Sequence, residues 1–182
     1  MSDLNMTDPA RPRVSRLVVQ GEYDVSDDPC IVLTTLLGSC IATCLFDPVT
    51  RVGGMNHFLL AAGEGESARN ERYGSYAMEV LINGLLKLGA RKSRLEAKVF
   101  GGAMMAGRMG RIGEENCAFA LSYFATEKIP IAGSSLGGTQ ARRIRYVPTT
   151  GQAQMLLVRE HVPPTPAPAR PARPNQGEVD LF

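Results

Sequence analysis

Residues 31 to 60 read IVLTTLLGSCIATCLFDPVTRVGGMNHFLL, and this stretch decides the fold. Ile31 to Leu37 and Ile41 to Phe46 are uncharged runs crowded with β-branched and aliphatic side chains, the composition of buried strands. The small residues Gly38-Ser39-Cys40 stand between them and predict a turn. Asp47-Pro48 and Thr50-Arg51 predict a second turn, after which Val52 to Leu60 returns as a third apolar run carrying His57. A cysteine held by backbone on both sides, with a histidine on the returning strand within hydrogen-bond reach, makes a thiolate nucleophile and its base.

Outward from this stretch, Val14 to Val19 predicts a first strand and Gly21 to Pro29 a polar connection. Ala61 to Arg72, rich in Gly, Glu, Ser and Asn, reads as a rim loop or lid beside the His57 strand. A helix follows, because Tyr73, Tyr76-Ala77, Val80-Leu81, Gly84-Leu85 and Leu88 recur at three and four residues, and Gly89 supplies its stop. Leu95, Ala97 and Val99 alternate with charged residues and predict a strand running into Phe100-Gly101-Gly102-Ala103, where paired glycines permit close backbone approach. Met104, Met105 and Met109 read as adaptable packing. Glu114 to Lys128 predicts a second helix burying Cys117, Leu121, Phe124 and Ala125, its acidic start and basic end suiting the helix dipole. A strand begins over Ile129 to Ile131 and ends near Ser134-Ser135-Leu136-Gly137-Gly138. Ile144 to Val147, a turn at Thr149-Thr150-Gly151, and Met155 to Val158 predict a terminal hairpin. Strands outnumber helices and hairpin neighbours are common, so an α+β domain is expected.

With 20 basic and 18 acidic residues in 182, the net charge is only +2, and charge does not point to nucleic acid. Arg142-Arg143-Ile144-Arg145 is the one cluster suited to an anionic partner. No window reaches the roughly 18 apolar residues of a membrane span, and the N-terminus lacks a signal peptide's apolar core, so a cytoplasmic protein is expected. The cysteines at 30, 40, 44 and 117 lack paired CxxC spacing and are expected to be free thiols. Cys40 and Cys44 share one strand face but lie about 13 Å apart if extended, which argues against a zinc site. No metal or cofactor is called for.

The domain organisation follows from composition: a polar arm over residues 1–12, a folded domain over 13–160, and a proline-rich tail over 161–182. The last twenty residues, PPTPAPARPARPNQGEVDLF, hold six prolines and no large apolar group before Val179. Such a stretch cannot bury enough surface to order itself.

Four segments, TTLLGSC from Thr34 to Cys40, GGMNHF from Gly53 to Phe58, FGGA from Phe100 to Ala103 and LGG from Leu136 to Gly138, resemble the CheD family of chemotaxis proteins over roughly residues 15 to 160. The pattern departs at Leu60-Ala61, Ser135 and Ala141, outside the cysteine and histidine. The resemblance implies a single-domain α/β sandwich with mixed or antiparallel sheets and outer helices, related to bacterial toxin deamidases. It implies hydrolysis of selected glutamine side chains in methyl-accepting chemoreceptors to glutamate, and partnership in several members with a CheC-like phosphatase. Carried onto this sequence, it makes Cys40 the nucleophile, His57 the base and Thr34 the residue orienting the histidine.

The residues themselves are compatible with that chemistry but leave choices open. A primary amide is a poor electrophile, so the site must supply a thiolate and stabilise an oxyanion, which turn amides near Ser39 and Cys40 are placed to do. Cysteine is also a common buried small hydrophobe, and a strand histidine is often structural. Thr34 and Thr35 point to opposite faces of a strand, and spacing alone does not choose between them; the resemblance selects Thr34. A non-catalytic chemotaxis adaptor, and a cysteine protease or transglutaminase, are the alternatives. Because the tail's prolines lack donors for any sheet, a chain ending near Glu160 is expected to melt at the full-length temperature by circular dichroism, and unfolding of that truncated chain would contradict the division.

Overall fold

The computed structural model describes residues 12–60, 67–104 and 108–158. The expected arm before residue 12, the 61–66 part of the expected rim loop, and the tail lie outside the described residues. Alternation in the decisive stretch sets the architecture. Strand β3 (Ile31–Leu37) turns Leu33, Thr35 and Leu37 inward, all at 2% exposure or less, while Thr34 is half-buried and Leu36 is exposed. Beside it lie β1 (Val14–Leu17), parallel, and β8 (Ala141–Val147), antiparallel, with β9 (Gln152–Val158) at the far edge, giving the order β1-β3-β8-β9.

A second sheet has the order β2-β5-β4-β6-β7, built from β2 (Tyr23–Ser26), β4 (Ile41–Asp47), β5 (Val52–Phe58), β6 (Glu96–Gly101) and β7 (Ile131–Leu136). All of its pairings are antiparallel except β6 with β7. Every residue of β5 is buried, because this sheet is covered on both faces. Leu33, Leu37, Ala42, Cys44, Met55, Phe100, Ile144 and Tyr146 fill the space between the sheets. Ile41, Leu45, Phe58 and Val99 on the other face pack against helices α1 (Ser67–Lys87) and α2 (Arg108–Glu127) through Met78, Leu81, Leu85, Ala120 and Phe124. The α+β sandwich expected from the sequence is the observed fold, and the terminal hairpin and three decisive strands stand where they were predicted.

Three local expectations are corrected. The stretch read as a polar connection contains β2, a four-residue edge strand whose pairing with β5 compensates for its weak apolar pattern. Helix α2 begins six residues before Glu114, so no acidic residue occupies its first turn and no basic one its last. Its buried row is Ile112, Asn116, Ala120 and Phe124; Leu121 and Ala125 face solvent and Cys117 is half-buried. In α1 the buried residues among those described are Gly74, Met78, Leu81, Ile82, Gly84 and Leu85, so the expected stripe holds at Leu81, Gly84 and Leu85, while Tyr73 and Tyr76 are exposed. Tertiary packing rotates α2 from the face that periodicity alone favours and shifts only the first turns of α1.

The Asp47-Pro48 turn is fixed by a buried carboxylate. Asp47 accepts from the amides of Val49 at 2.9 Å, Thr50 at 3.3 Å and Arg91 at 2.9 Å, and from the Arg94 guanidinium at 2.6 Å. Burial alone raises the carboxyl's pKa, but these donors outweigh it and hold it well below the usual carboxylate range. Removing one partner of such a pair typically costs about 3 to 5 kcal/mol, so Asp47→Ala is expected to lower stability at neutral pH by about that much in urea unfolding. The folded value is depressed, so the native contribution is complete above the unfolded carboxyl value of about 3.9 and is lost as pH falls toward the folded one. The gap between native and variant stabilities therefore narrows below about pH 4, and a gap constant with pH would contradict this account.

Candidate active site

Strands β3 and β4 belong to different sheets, so Gly38-Ser39-Cys40 is the step by which the chain passes from one to the other. Each of its three carbonyls is held. Ala103 N donates to Gly38 O at 2.9 Å, Asn116 Nδ2 to Ser39 O at 2.9 Å, and Gly102 N to Cys40 O at 2.8 Å. Asn116 also accepts from Leu60 N at 2.8 Å, tying the cysteine crossing to the chain just beyond β5. Gly101, at φ +118°, must be glycine, since a Cβ there would lie 2.0 Å from the Cys40 carbonyl oxygen.

The FGGA and LGG segments brace this crossing together. Gly137 N donates to Gly101 O at 3.0 Å and Met104 N to Gly138 O at 2.7 Å. The buried Arg142 guanidinium donates to the carbonyls of Gly101 and Gly137. Arg142 is therefore no part of an exposed basic cluster, contrary to the sequence expectation, and only Arg143 and Arg145 of that run reach the surface.

His57 lies on β5 directly opposite Ala42 of β4, and Cys40 is two residues before Ala42, on the same side of the sheet. Both pack at the interface between the sheets, where Cys40 is half-buried and His57 is 6% exposed. His57 Nδ1 lies 2.9 Å from Thr35 Oγ1 and 3.3 Å from the Val18 carbonyl. The Thr35 hydroxyl gives its single proton to Val18 O at 2.8 Å, so it has only a lone pair to offer the ring. With the Val18 carbonyl, which can only accept, also beside Nδ1, the arrangement favours the ring proton on Nδ1 and the basic lone pair on Nε2. Among the described residues Nε2 is buried with no hydrogen-bond partner.

The structure thus brings Cys40 and His57 to one face but does not bring Thr34 to them. Thr34 sits on the opposite side of β3, its hydroxyl 3.4 Å from the Arg16 carbonyl, and the threonine against His57 is Thr35. Inward residues of β3 must match Leu33 and Leu37 in parity, and only Thr35 does. Sequence reading also passed over Val18, Gln20 and Asn116. Asn116 left a signal, a lone polar residue in the i, i+4 row of an otherwise apolar helix face. Val18 acts through its carbonyl and left none.

Burial raises the Cys40 thiol, partly offset by the cysteine's own amide, and burial lowers the His57 imidazolium against the opposing Val18 carbonyl. Both shifts favour the uncharged forms, thiol and neutral imidazole. Cys44 is fully enclosed, and burial pushes its thiol far up despite the charge of Lys98. Burial also raises Cys117, against the amide of Gly137 and the charge of Arg142. The groove of about 600 Å³ between α1 and α2, lined by Glu71, Glu79, Glu115, Phe119, Tyr123 and Glu127, contains neither Cys40 nor His57. Native protein treated with iodoacetamide is expected to be modified at Cys40 while Cys44 stays protected until unfolding, as peptide mass mapping would read; Cys44 labelling at the Cys40 rate would contradict the burial argument.

Among the described residues no helix is long and apolar enough to cross a membrane. The family profile described as CheD chemotactic sensory transduction matches residues 59–156. A probable chemoreceptor glutamine deamidase CheD of Cereibacter sphaeroides is 50% identical over 177 residues, covering 94% of this chain and 89% of that protein. Proteins of the same description from a Caulobacter species and from Rhizobium johnstonii are 49% and 47% identical, covering 94% and 91% of this chain and 94% of each relative. With the family profile spanning more than half of the chain and relatives of this identity spanning nearly all of it, the chain belongs to the CheD family.

Proposed function

We propose that this chain hydrolyses the side-chain amides of chemoreceptor glutamines to glutamate, with Cys40 as nucleophile, His57 as base and Thr35 as the residue that orients the base. The single observation that carries the assignment of roles is the hydrogen-bond chain from His57 Nδ1 through Thr35 Oγ1 to Val18 O, which leaves Nε2 unprotonated on the face shared with Cys40. Family membership and the relatives' described activity support the substrate class.

The reaction follows from these groups. His57 Nε2 takes the thiol proton as Cys40 attacks the glutamine Cδ, and a C–S bond forms. The tetrahedral oxyanion collapses with cleavage of the C–N bond, and imidazolium returns its proton to the departing ammonia. Water, activated by the same nitrogen, then hydrolyses the thioester to glutamate and regenerates the thiol. No proton is stranded in the cycle, because one imidazole nitrogen accepts and returns it in each half. Thr35 and Val18 keep Nδ1–H oriented and spread the imidazolium's charge, with less electrostatic support than a carboxylate would give.

Incubation with a soluble receptor fragment, followed by intact mass and peptide mapping, tests the reading. Conversion of glutamine to glutamate with no chain cleavage is expected, and Cys40→Ala abolishes it. His57→Ala loses roughly 10² to 10⁴ in rate, and Thr35→Val loses part of that factor, whereas Thr34→Val stays near native. The burial-lowered imidazole stays neutral below its ordinary value, so the acid limb of kcat/KM falls at a pH below about 6.5. Turnover by Cys40→Ala, or a larger loss in Thr34→Val than in Thr35→Val, would overturn the roles; binding without any mass change would mark an adaptor.

A further inference from the structure

The turn joining β1 to β2 hangs a primary carboxamide over the nucleophile. Gln20 Oε1 lies 3.5 Å from Cys40 Sγ, which donates to it. The turn that carries Gln20 is bolted to the peptide of His57 on both sides, with Gly21 N donating to His57 O at 2.7 Å and His57 N donating to Glu22 O at 3.0 Å. It is closed internally by Glu22 N to Val19 O at 3.0 Å and by Val19 N to the Glu22 carboxylate at 3.2 Å. Val18, at its start, supplies the carbonyl that fixes the histidine tautomer. A segment whose backbone is spent on the base therefore has its exposed side chain over the nucleophile.

The chemistry needs what Gln20 can give. A tetrahedral oxyanion is held by preorganised donors, commonly more than one. Beside the turn amides of the crossing itself, Gly102 N and Ala103 N are bound to Cys40 O and Gly38 O, and Asn116 Nδ2 to Ser39 O. Two Arg142 nitrogens are engaged by the carbonyls of Gly101 and Gly137. The Cys40 amide favours the thiolate against burial. Once Cys40 loses its proton, Gln20 Oε1 would face an anion with no hydrogen between them, which costs energy that a turn of the exposed amide group removes by presenting Nε2 instead.

We propose that Gln20 is a further catalytic residue, whose side-chain amide donates to the thiolate and then to the oxyanion formed from the substrate glutamine. This rests on the deamidase reading above. Gln20 exchanges no atoms in the reaction: the C–S bond forms and the C–N bond breaks as described, and Gln20 contributes hydrogen bonds only.

The test compares full-length native protein with Gln20→Met and Gln20→Glu, using a glutamine-bearing soluble receptor fragment for turnover and iodoacetamide for the thiolate. Gln20→Met is expected to lower kcat by about 10² to 10³, the usual loss of one oxyanion donor, with little change in KM. Its Cys40 is alkylated several-fold more slowly, and Gln20→Glu, which sets a carboxylate beside the anion, is slower still. Native kcat in Gln20→Met overturns the proposal. So does faster alkylation with a lower KM, which would mean that Gln20 merely occupies the substrate's place. Conversion of Gln20 itself to glutamate in native protein but not in Cys40→Ala would make it a substrate and also overturn the proposal. If native protein deamidates no receptor fragment, the alkylation rates decide the donor role without the deamidase reading.

Discussion

One hydroxyl proton governs the site. Thr35 has a single hydrogen to give and the Val18 carbonyl takes it, so the hydroxyl meets His57 as an acceptor and favours the imidazole tautomer protonated on Nδ1. The three groups come from β3, from the turn after β1 and from β5, so this short chain of bonds also links the two sheets. A strand slipped by one residue would put Thr34 inward in place of Thr35 and expose Leu33 and Leu37 at once. Core burial and catalytic geometry are therefore specified by the same register.

The second constraint is space at the point where the chain changes sheets. Held carbonyls at Gly38, Ser39 and Cys40 leave the cysteine little backbone freedom, and the donors that hold them come from the β6 end and from α2. Gly101 is pressed against the Cys40 carbonyl so closely that any side chain would displace Cys40. Gly102, at φ +65°, is pressed against Cys117 and the Gly113 carbonyl in the same way. Arg142 joins Gly101 to Gly137, which explains why two glycine segments some thirty-five residues apart in sequence act as one support. Cys40 is placed chiefly by backbone packing, and its side chain is left half-buried.

Much of this was legible in the sequence, for identifiable reasons. Ile31–Leu37, Ile41–Asp47 and Val52–Phe58 carry uncharged runs long enough to declare themselves as strands, and Cys40 and His57 stand out against them as reactive side chains among aliphatic ones. Four things were not legible. The polar edge strand Tyr23–Ser26 depends on its partner β5 for its existence. The faces of both helices are set by the sheet beneath them. The choice between Thr34 and Thr35 needs the absolute orientation of β3, which strand alternation leaves undetermined, and the family resemblance pointed to the neighbour of the threonine that the structure places on the histidine. The Val18 carbonyl and the partners of Asn116 are main-chain groups, which carry no identity in a sequence.

The central claim is that the fold holds His57 with its proton on Nδ1 and its lone pair on Nε2. Nitrogen-15 NMR of the imidazole ring in ring-labelled native protein near neutral pH reads this directly. The account predicts a pyrrole-type, protonated resonance for Nδ1 and a pyridine-type resonance for Nε2, with the pattern lost or averaged in Thr35→Val and retained in Thr34→Val. A His57 protonated on Nε2, or one whose tautomer is indifferent to Thr35, would contradict it.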